Sequence, residues 1–181
     1  VANGCNVIGF DFDSNKVQIA KSKRIDAIDI SKDIDPINYV NSITNDIGVD
    51  GVIIAASNKN NDIVSQSAKI CRKRGRVVLV GVVGLNLARS DFYAKEITFQ
   101  VSCSYGAGRY DYNYEQQGQD YPIGYVRWTE KRNFEAILSS ISKKQLDVMP
   151  LISNRAELEK YKDIYDNINN SSLIASILVY K

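Results

Sequence analysis

The chain has 181 residues, of which 44% are hydrophobic and 24% are charged, and its formal net charge is +2. This composition is ordinary for a globular protein of one domain, with or without a small appendage, and so small a charge disfavours a nucleic-acid-binding protein. No apolar run approaches the roughly 20 residues of a membrane span, and the N-terminus shows no signal peptide.

The residue types available for catalysis are few. Histidine is absent, which removes Ser-His-Asp and Cys-His nucleophile systems and the usual imidazole-rich catalytic metal site. Cys5, Cys71 and Cys103 are far apart and form no C-x-x-C pair, which argues against a disulfide framework and a self-contained zinc site. Any catalytic acid or base within this chain would be Asp, Glu, Lys, Tyr or Cys. A reducing cytoplasm is the natural location.

Apolar strands alternate with amphipathic helices from residue 5 to about residue 104. The predicted strands are residues 5–11, 26–30, 49–57, 76–84 and 97–104. The predicted helices are residues 13–24, capped by Asp13 or Ser14, 35–48 with Pro36 near the start, 60–75 ending at Gly75, and 91–96. Near-continuous apolar strands between helices indicate an α/β fold with a Rossmann-like, doubly wound parallel sheet. Such a sheet binds ligands at the carboxyl ends of its strands.

The remainder of the chain reads as a tyrosine-rich loop followed by mixed elements. The prediction is a helix at residues 129–145, an extended piece at 146–153, a helix at 154–168 capped by Asn154, and a strand at 172–181. We therefore assign residues 1–104 to a partial dinucleotide-binding domain. Residues 105–181 would hold the loop and C-terminal elements that complete or flank the same domain.

Asp11 closes the first predicted strand and is the main candidate for cofactor binding. An acid at this place in a dinucleotide-binding unit accepts hydrogen bonds from the adenosine ribose, and it would repel the 2′-phosphate of NADP, so NAD(H) is favoured over NADP(H). Lys16 could reach the same ribose. The alternatives are a solubilising acid at a strand end and a solvated lysine.

The glycine-rich G-x-G-x-x-G fingerprint is absent. In a dinucleotide-binding unit this loop joins the first strand to the first helix and holds the pyrophosphate. The opening residues VANGCNVIGFD resemble the end of that first helix followed by the second strand. An empty place for the first strand would leave backbone groups unpaired in the middle of the sheet. We therefore expect the chain to be a fragment of a longer polypeptide and to bind NAD poorly alone.

Two further strand ends are candidate sites. Gly81 ends the segment GRVVLVG of the fourth strand, where the backbone either approaches a flat ligand or makes a tight turn. Ser102, Ser104, Tyr105 and Gly106 form a corner whose hydroxyl and main-chain groups could hold a carboxamide. Serines in loops more often bond to water or to the backbone.

These segments together resemble the nucleotide-binding domain of the medium-chain, zinc-type alcohol dehydrogenase superfamily. The residues that carry the resemblance are GCNVIGFDFDSNKVQIAK, GVDGVIIAAS, CRKRGRVVLVG and ITFQVSCSYG. The segment SCSYGAGRYDYNYEQQGQDYPIGYVRWTEKRNFEAIL is similar to a bacterial branch in which such a half is fused to an oxidoreductase half of the glucose–fructose oxidoreductase type. Members of that branch are typically associated with cell-surface polysaccharide synthesis.

The resemblance implies roles for particular positions, and it implies that zinc, if any, binds outside this chain. Asp11 matches the ribose-binding acid and Lys16 the basic residue nearby. The other matched positions are Ala55 and Ala56 beside the adenosine and nicotinamide ribose, Val80, Gly81 and Val82 beside the nicotinamide, and Ser102 to Ser104 at the carboxamide. The implied partners are an N-terminal catalytic domain and the fused second half; a homo-oligomer is left open.

The loop SYGAGRYDYNYEQQGQDYPIGYVRW, residues 104–128, holds six of the eleven tyrosines. Our hypothesis is an ordered loop beside the cofactor cleft, in which Tyr105, Arg109 and Tyr110 meet a sugar or nucleotide-sugar substrate. An interdomain or subunit contact is an equal alternative, since tyrosine is common at interfaces. Single-stranded nucleic-acid binding is disfavoured because acidic residues outnumber basic ones in this loop.

The leading functional prediction is the NAD-binding portion of an oxidoreductase that transfers hydride to or from a sugar-derived alcohol or carbonyl. The alternative is a non-catalytic nucleotide-binding or assembly module. An upstream glycine-rich loop and a domain bearing Cys, His and Glu would favour the enzyme.

Overall fold

The alternation predicted for the first hundred residues is present. The computed structural model describes residues 1–170 and 173–180. The strands are β1 (Ile8–Asp11), β2 (Asp26–Asp29), β3 (Val49–Ile54), β4 (Cys71–Leu79), β5 (Thr98–Val101), β6 (Ile152–Glu157) and β7 (Ala175–Val179). The helices are α1 (Ser14–Ser22), α2 (Pro36–Thr44), α3 (Asp62–Ile70), α4 (Arg89–Tyr93), α5 (Tyr112–Glu115), α6 (Glu130–Ser142) and α7 (Tyr161–Asp166).

Every strand pair in the described residues is parallel, which confirms the α/β class. β1 pairs with β2, β4 lies between β3 and β5, and β6 pairs with β7. Within residues 1–170 and 173–180, β1 has no neighbour other than β2, and β3 has none other than β4. Each therefore leaves one edge without a ladder partner. In a doubly wound sheet the first strand lies between the strands that correspond to β1 and β3.

Two compact units make up the chain. The larger contains residues 7–133, and therefore both sheets built from β1 to β5; the smaller contains residues 1–6 and 134–181. The division at residue 104 made from the sequence stays a prediction.

The core of the larger unit lies between α3 and the three-stranded sheet. Ile54, Val64, Cys71, Val77 and Leu79 are buried together there. The opposite face of β3 is open, because Ile53, which precedes the buried Ile54, is 73% exposed. Helices would cover both faces of a complete doubly wound sheet.

The starts of α1 and α2 follow the sequence prediction. The Asp13 carboxylate accepts hydrogen bonds from the backbone N–H groups of Asn15 and Lys16, as an N-cap does. Pro36 is the first residue of α2, where its missing N–H costs nothing.

The predicted boundary between the third helix and the fourth strand is wrong. We predicted a helix to Gly75 and a strand from Arg76, but α3 ends at Ile70 and β4 begins at Cys71. Cys71 is fully buried and pairs with Val49. Because the Cys71 side chain is buried in the sheet core, the chain is already a strand here, although the basic residues 72–74 had suggested the last turn of a helix.

The side chain of Lys95, which is distant in sequence, caps the C-terminus of α3. Its ammonium donates to the carbonyl oxygens of Ala68, Lys69 and Cys71, at 3.3, 2.6 and 2.9 Å. The last carbonyls of a helix lack partners within the helix and carry partial negative charge. A cation therefore supplies the cap that we expected Gly75 to provide.

The predicted helix at residues 154–168 is also wrong over its first seven residues, because α7 begins only at Tyr161. Residues 154–157 belong to β6, where Asn154 pairs with Ser176 of β7, so Asn154 is not a helix cap. Pairing with a partner strand overrides the local helical pattern. The predicted last strand is present as β7, while residues 172 and 181 of that prediction lie outside the described residues.

α6 lies within the helix predicted at residues 129–145, and its apolar side chains are exposed. Phe134, Ile137 and Leu138 are 48%, 53% and 64% exposed.

Among residues 1–170 and 173–180, no helix combines the length and apolar character of a bilayer-crossing segment.

The Lys95 cap can be tested by substitution. We expect Lys95→Met to lower the free energy of unfolding by about 1–3 kcal/mol, because the ammonium's hydrogen bonds to three carbonyls are lost. Urea denaturation followed by circular dichroism measures this. Lys69→Met is the control, since that side chain is exposed on α3; equal losses from both variants would contradict the cap.

Candidate functional site

Asp11 lies at the carboxyl end of β1 and is partly exposed. Its Oδ1 accepts a hydrogen bond from the N–H of Asp13 at 2.9 Å. Among the described residues, none donates a hydrogen bond to the Asp11 Oδ2. This oxygen is therefore the one available to a ligand hydroxyl. Lys16 instead lies near Asp13, with 3.8 Å between its Nζ and the Asp13 Oδ2.

Asp29 is a residue that the sequence reasoning missed. It ends β2 in register with Asp11, and it is only 7% exposed. Its carboxylate accepts hydrogen bonds from the hydroxyls of Ser14 and Ser31, each at 2.5 Å, and from the Ser31 N–H at 3.0 Å. The hydrogen bond from Ser14, followed by those from Ser31, lowers the pKa of Asp29 to about 2. The predicted strand ran to residue 30, whereas β2 ends at Asp29, so the sequence did not show this acid at a strand end.

A second group of predicted residues lies where β3 and β4 end. Ala55 and Ala56 are exposed there, as are Val80 and Val82, at 58% and 76%. The Gly81 N–H donates to the Ile54 carbonyl and the Val82 N–H to the Ala56 carbonyl, at 2.9 and 3.2 Å. This pairing beyond the strands joins both corners into one apolar ledge.

Gly81 has a structural explanation. A Cβ at this position would overlap the Ala56 carbonyl oxygen and lie 2.9 Å from the carbonyl carbons of Ala55 and Ala56. The atoms that approach Gly81 are backbone atoms of Ala55 and Ala56, and an approach to a ligand stays a prediction. Glycine is therefore needed here to bring the two corners together, whether or not a ligand lies beside them.

Ser102 and Ser104 follow the end of β5, the strand that pairs with β4. The Ser102 N–H donates to the Leu79 carbonyl at 2.8 Å, which extends the β4–β5 pairing by one residue. Ser104 is exposed and has a positive φ of 35°. The structure thus aligns Ser102 with the ledge through backbone hydrogen bonds.

The substitution Gly81→Ala tests this packing. We expect it to destabilise the protein by about 1–3 kcal/mol, as overpacking of a filled site does. Gly9→Ala is the matched control, because a Cβ on Gly9 of β1 would meet its nearest neighbours at 4.0 Å. Thermal unfolding of both variants measures the difference; a Gly81→Ala protein as stable as Gly9→Ala would contradict the close approach.

The tyrosine-rich loop is closed at its base by backbone pairing and by Arg132. Ala107 forms an isolated parallel bridge with Thr129. The Arg132 guanidinium donates to Asp120 at 2.5 Å and to the carbonyl oxygens of Val126 and Arg127 at 2.6 and 3.0 Å. Arg132 therefore fixes the second half of the loop, a role with no local sequence signal.

The first half of the loop is held by a clasp of Asp111, Tyr114 and Tyr121. The Asp111 carboxylate caps α5 and accepts a short hydrogen bond from the Tyr121 hydroxyl. The rings of Tyr114 and Tyr121 stack with 5.6 Å between their centroids. The hydrogen bond from Tyr121 lowers the pKa of Asp111, and the hydrogen bond to Asp111 raises the pKa of Tyr121.

The predicted substrate residues lie on the outside of this loop. Tyr105 and Tyr110 are 52% and 71% exposed. The Arg109 guanidinium lies 4.3 Å from the centre of the Tyr110 ring and forms an ion pair with Glu115. The hydrogen bond that Arg109 donates to Glu115 is the largest of the causes that raise the pKa of Arg109. The cationic charge of Arg109 is thus already balanced, and its substrate role stays a prediction.

The clasp predicts a defined dependence on pH. The hydrogen bond needs an ionised Asp111 and a neutral Tyr121. We therefore expect its contribution to be complete between pH 3.8 and pH 10.0, the ordinary pKa values of the two groups. It should be lost below pH 3.8, as pH falls through the lowered pKa of Asp111, and above pH 10.0, as pH rises through the raised pKa of Tyr121.

The chemical shift of the Asp111 carboxyl carbon against pH measures the clasp. Tyr121→Phe removes the hydroxyl donor, so we expect the pKa of Asp111 to rise toward its ordinary value of 3.8. Tyr125→Phe, at a side chain that is 91% exposed, is the control and should titrate as the wild type; an unchanged Asp111 titration in Tyr121→Phe would contradict the assignment.

Within residues 1–170 and 173–180, no group of three or more His, Cys, Asp or Glu side chains is arranged to hold a metal ion.

A family model described as zinc-binding dehydrogenase matches residues 1–117, which is more than half of the chain. The chain belongs to the zinc-binding dehydrogenase family. This finding confirms the family-level resemblance, and with it an oxidoreductase portion of the kind that uses NAD(P). The fusion to a second oxidoreductase half is not part of what the match covers.

Solved structures confirm the Rossmann-like fold. An alcohol dehydrogenase from Thermus sp. ATN1 is 20% identical over 97% of this chain, with a TM-score of 0.72. 2R,3R-butanediol dehydrogenase from Bacillus subtilis is 16% identical over 96% of this chain, with a TM-score of 0.73. Galactitol-1-phosphate dehydrogenase from Escherichia coli is 17% identical over 97% of this chain, with a TM-score of 0.69. The chain spans only 44%, 43% and 46% of these three proteins.

Proposed function

We propose that this chain is the NAD-binding portion of an oxidoreductase that transfers hydride to or from a sugar-derived alcohol or carbonyl. The observation that carries the proposal is the Asp11 carboxylate. It stands at the end of β1, where Asp13 holds one of its oxygens and leaves the other accessible. Together with membership of the dehydrogenase family, this geometry fits an acceptor for ribose hydroxyls.

The residues present fit the dinucleotide at several points. Asp11 would accept from the ribose of the adenosine, and its charge would disfavour a 2′-phosphate, so NAD(H) is proposed over NADP(H). The exposed apolar ledge of Ala55, Ala56, Val80 and Val82 would receive the nicotinamide riboside end. Lys16 is proposed beside the ribose, Gly81 in the ledge, and Ser102 and Ser104 at the carboxamide. The nicotinamide supplies the hydride chemistry, while the protein supplies position and electrostatics.

Other parts of the enzyme would come from polypeptide beyond these residues. The open edges of β1 and β3 support a missing strand with the glycine-rich pyrophosphate loop. The related dehydrogenases are more than twice as long as the matched region, which supports a separate catalytic domain and any zinc site there. A fused oxidoreductase half, a cytoplasmic location and a role in polysaccharide synthesis complete the proposal.

The proposed substrate class rests on the loop and on one relative. Galactitol-1-phosphate dehydrogenase, by its name, acts on a sugar-alcohol phosphate. In this chain Tyr105 and Tyr110 are exposed tyrosines, whose rings could pack against a sugar. Arg109 is balanced by Glu115, which favours sugar hydroxyls over a phosphate at this point of the loop.

Cofactor preference is the test. In a polypeptide that also carries the upstream strand and glycine-rich loop, we expect tighter binding of NADH than of NADPH, measured by nicotinamide fluorescence. Asp11→Asn should reduce that preference by roughly tenfold, because a charge repelling the 2′-phosphate is removed. Asp13→Asn is the control: it removes a neighbouring charge but keeps a good helix cap, so the preference should remain.

Equal effects of the two variants would contradict a specific ribose contact at Asp11. NADH binding without hydride transfer to any sugar-derived alcohol or carbonyl would favour the alternative, a non-catalytic nucleotide-binding or assembly module.

A further inference from the structure

The contacts between β2 and the start of α1 carry a further assignment. We infer that Asp29 is a positioning residue for nucleotide recognition, which acts through Ser14 to hold the β1–α1 corner and thereby orients the Asp11 carboxylate toward a ribose 2′-hydroxyl. This inference rests on the proposed nucleotide-binding function and adds a residue that does not itself touch the ligand.

The first step is the link from Asp29 to α1. Asp29 Oδ2 accepts from the Ser14 hydroxyl at 2.5 Å, across fifteen residues of sequence. Ser14 is the first residue of α1, so this hydrogen bond ties the start of the helix to the end of the neighbouring strand. Hydrogen bonds to an ionised carboxylate are shorter and about twice as strong as neutral ones.

The second step runs from the helix start to Asp11. Asp13 immediately precedes Ser14, and its N–H donates to Asp11 Oδ1 at 2.9 Å. The Asp13 side chain also caps the helix through the Asn15 N–H at 2.9 Å. The rotamer of Asp11 therefore depends on where α1 begins, and Ser14 is the point at which Asp29 fixes that start.

The burial and partners of Asp29 suit this role better than a ligand contact. Its side chain is 9% exposed, and Ser14 and Ser31 hold both of its oxygens. The Nζ of Lys32, a residue that follows β2, lies 3.6 Å from the Asp29 Oδ2. A buried carboxylate with both oxygens engaged is a structural anchor, whereas Asp11 keeps one oxygen accessible.

The two sides of Asp29 provide matched variants. Ser14→Ala removes the donor toward the β1–α1 corner, and Ser31→Ala removes a hydroxyl donor to the other oxygen of the same carboxylate. Ser14→Thr keeps the hydroxyl. Asp29→Asn weakens the Ser14 link without changing the size of the side chain.

The test uses the 181-residue chain with two isomeric probes, adenosine 5′-monophosphate and adenosine 2′-monophosphate, titrated by ¹H–¹⁵N NMR. The first has a free 2′-hydroxyl and the second does not. We expect Ser14→Ala and Asp29→Asn to weaken binding of the 5′-isomer by roughly fivefold to tenfold, the share of one charge-assisted hydrogen bond, and to leave the 2′-isomer unchanged. Ser14→Thr and Ser31→Ala should bind as the wild type.

The double variant Ser14→Ala/Asp29→Asn should lose no more affinity than either single variant, because both interrupt one link. A variant that only loosens the fold would weaken both isomers alike, and that result would overturn the inference. Loss of affinity in Ser31→Ala equal to that in Ser14→Ala would also overturn it, as would unchanged binding in Ser14→Ala. If the wild-type chain binds the two isomers with equal affinity, the proposed role of Asp11 is wrong, and the inference that depends on it is wrong too.

Discussion

Parallel pairing of neighbouring strands is the constraint on which the rest of the structure depends. Because each strand runs in the same direction as its partner, the carboxyl ends of paired strands meet at one edge. The pairing continues past the strands, with Gly81 bonded to Ile54 and Ser102 to Leu79. Backbone hydrogen bonds therefore hold the apolar ledge together, and the glycine at position 81 follows from that close approach.

Sequence alone predicts the features that are governed by local pattern. Continuous apolar runs identified all five strands of the larger unit, and the Asp13 cap and Pro36 placed the starts of α1 and α2 correctly. A strand-end acid at Asp11 was visible for the same reason, since its position follows from the end of one apolar run. The alternation of strand and helix was also enough to predict the fold class.

The remaining features depend on residues that are distant in sequence. Lys95 ends α3 from beyond the next strand, and pairing of Asn154 with β7 converts a helical pattern into strand. Arg132 orders a loop that it does not belong to. Nothing local distinguishes Tyr121, held by Asp111, from Tyr125, which is exposed; only the folded loop separates a structural tyrosine from a surface one.

The order of the strands has a consequence for folding kinetics. Pairs form between strands that are successive in sequence, so that Ile8 meets Asp26, Arg76 meets Thr98 and Ile152 meets Ala175. Closing a loop of about twenty residues costs little more entropy than closing one half as long, and contacts at short sequence separation favour rapid folding. Each strand–helix–strand segment therefore has its pairing contacts close in sequence and should assemble quickly. If a further strand pairs with the open edges of β1 and β3, as proposed above, joining the two sheets through that strand should be the slow step.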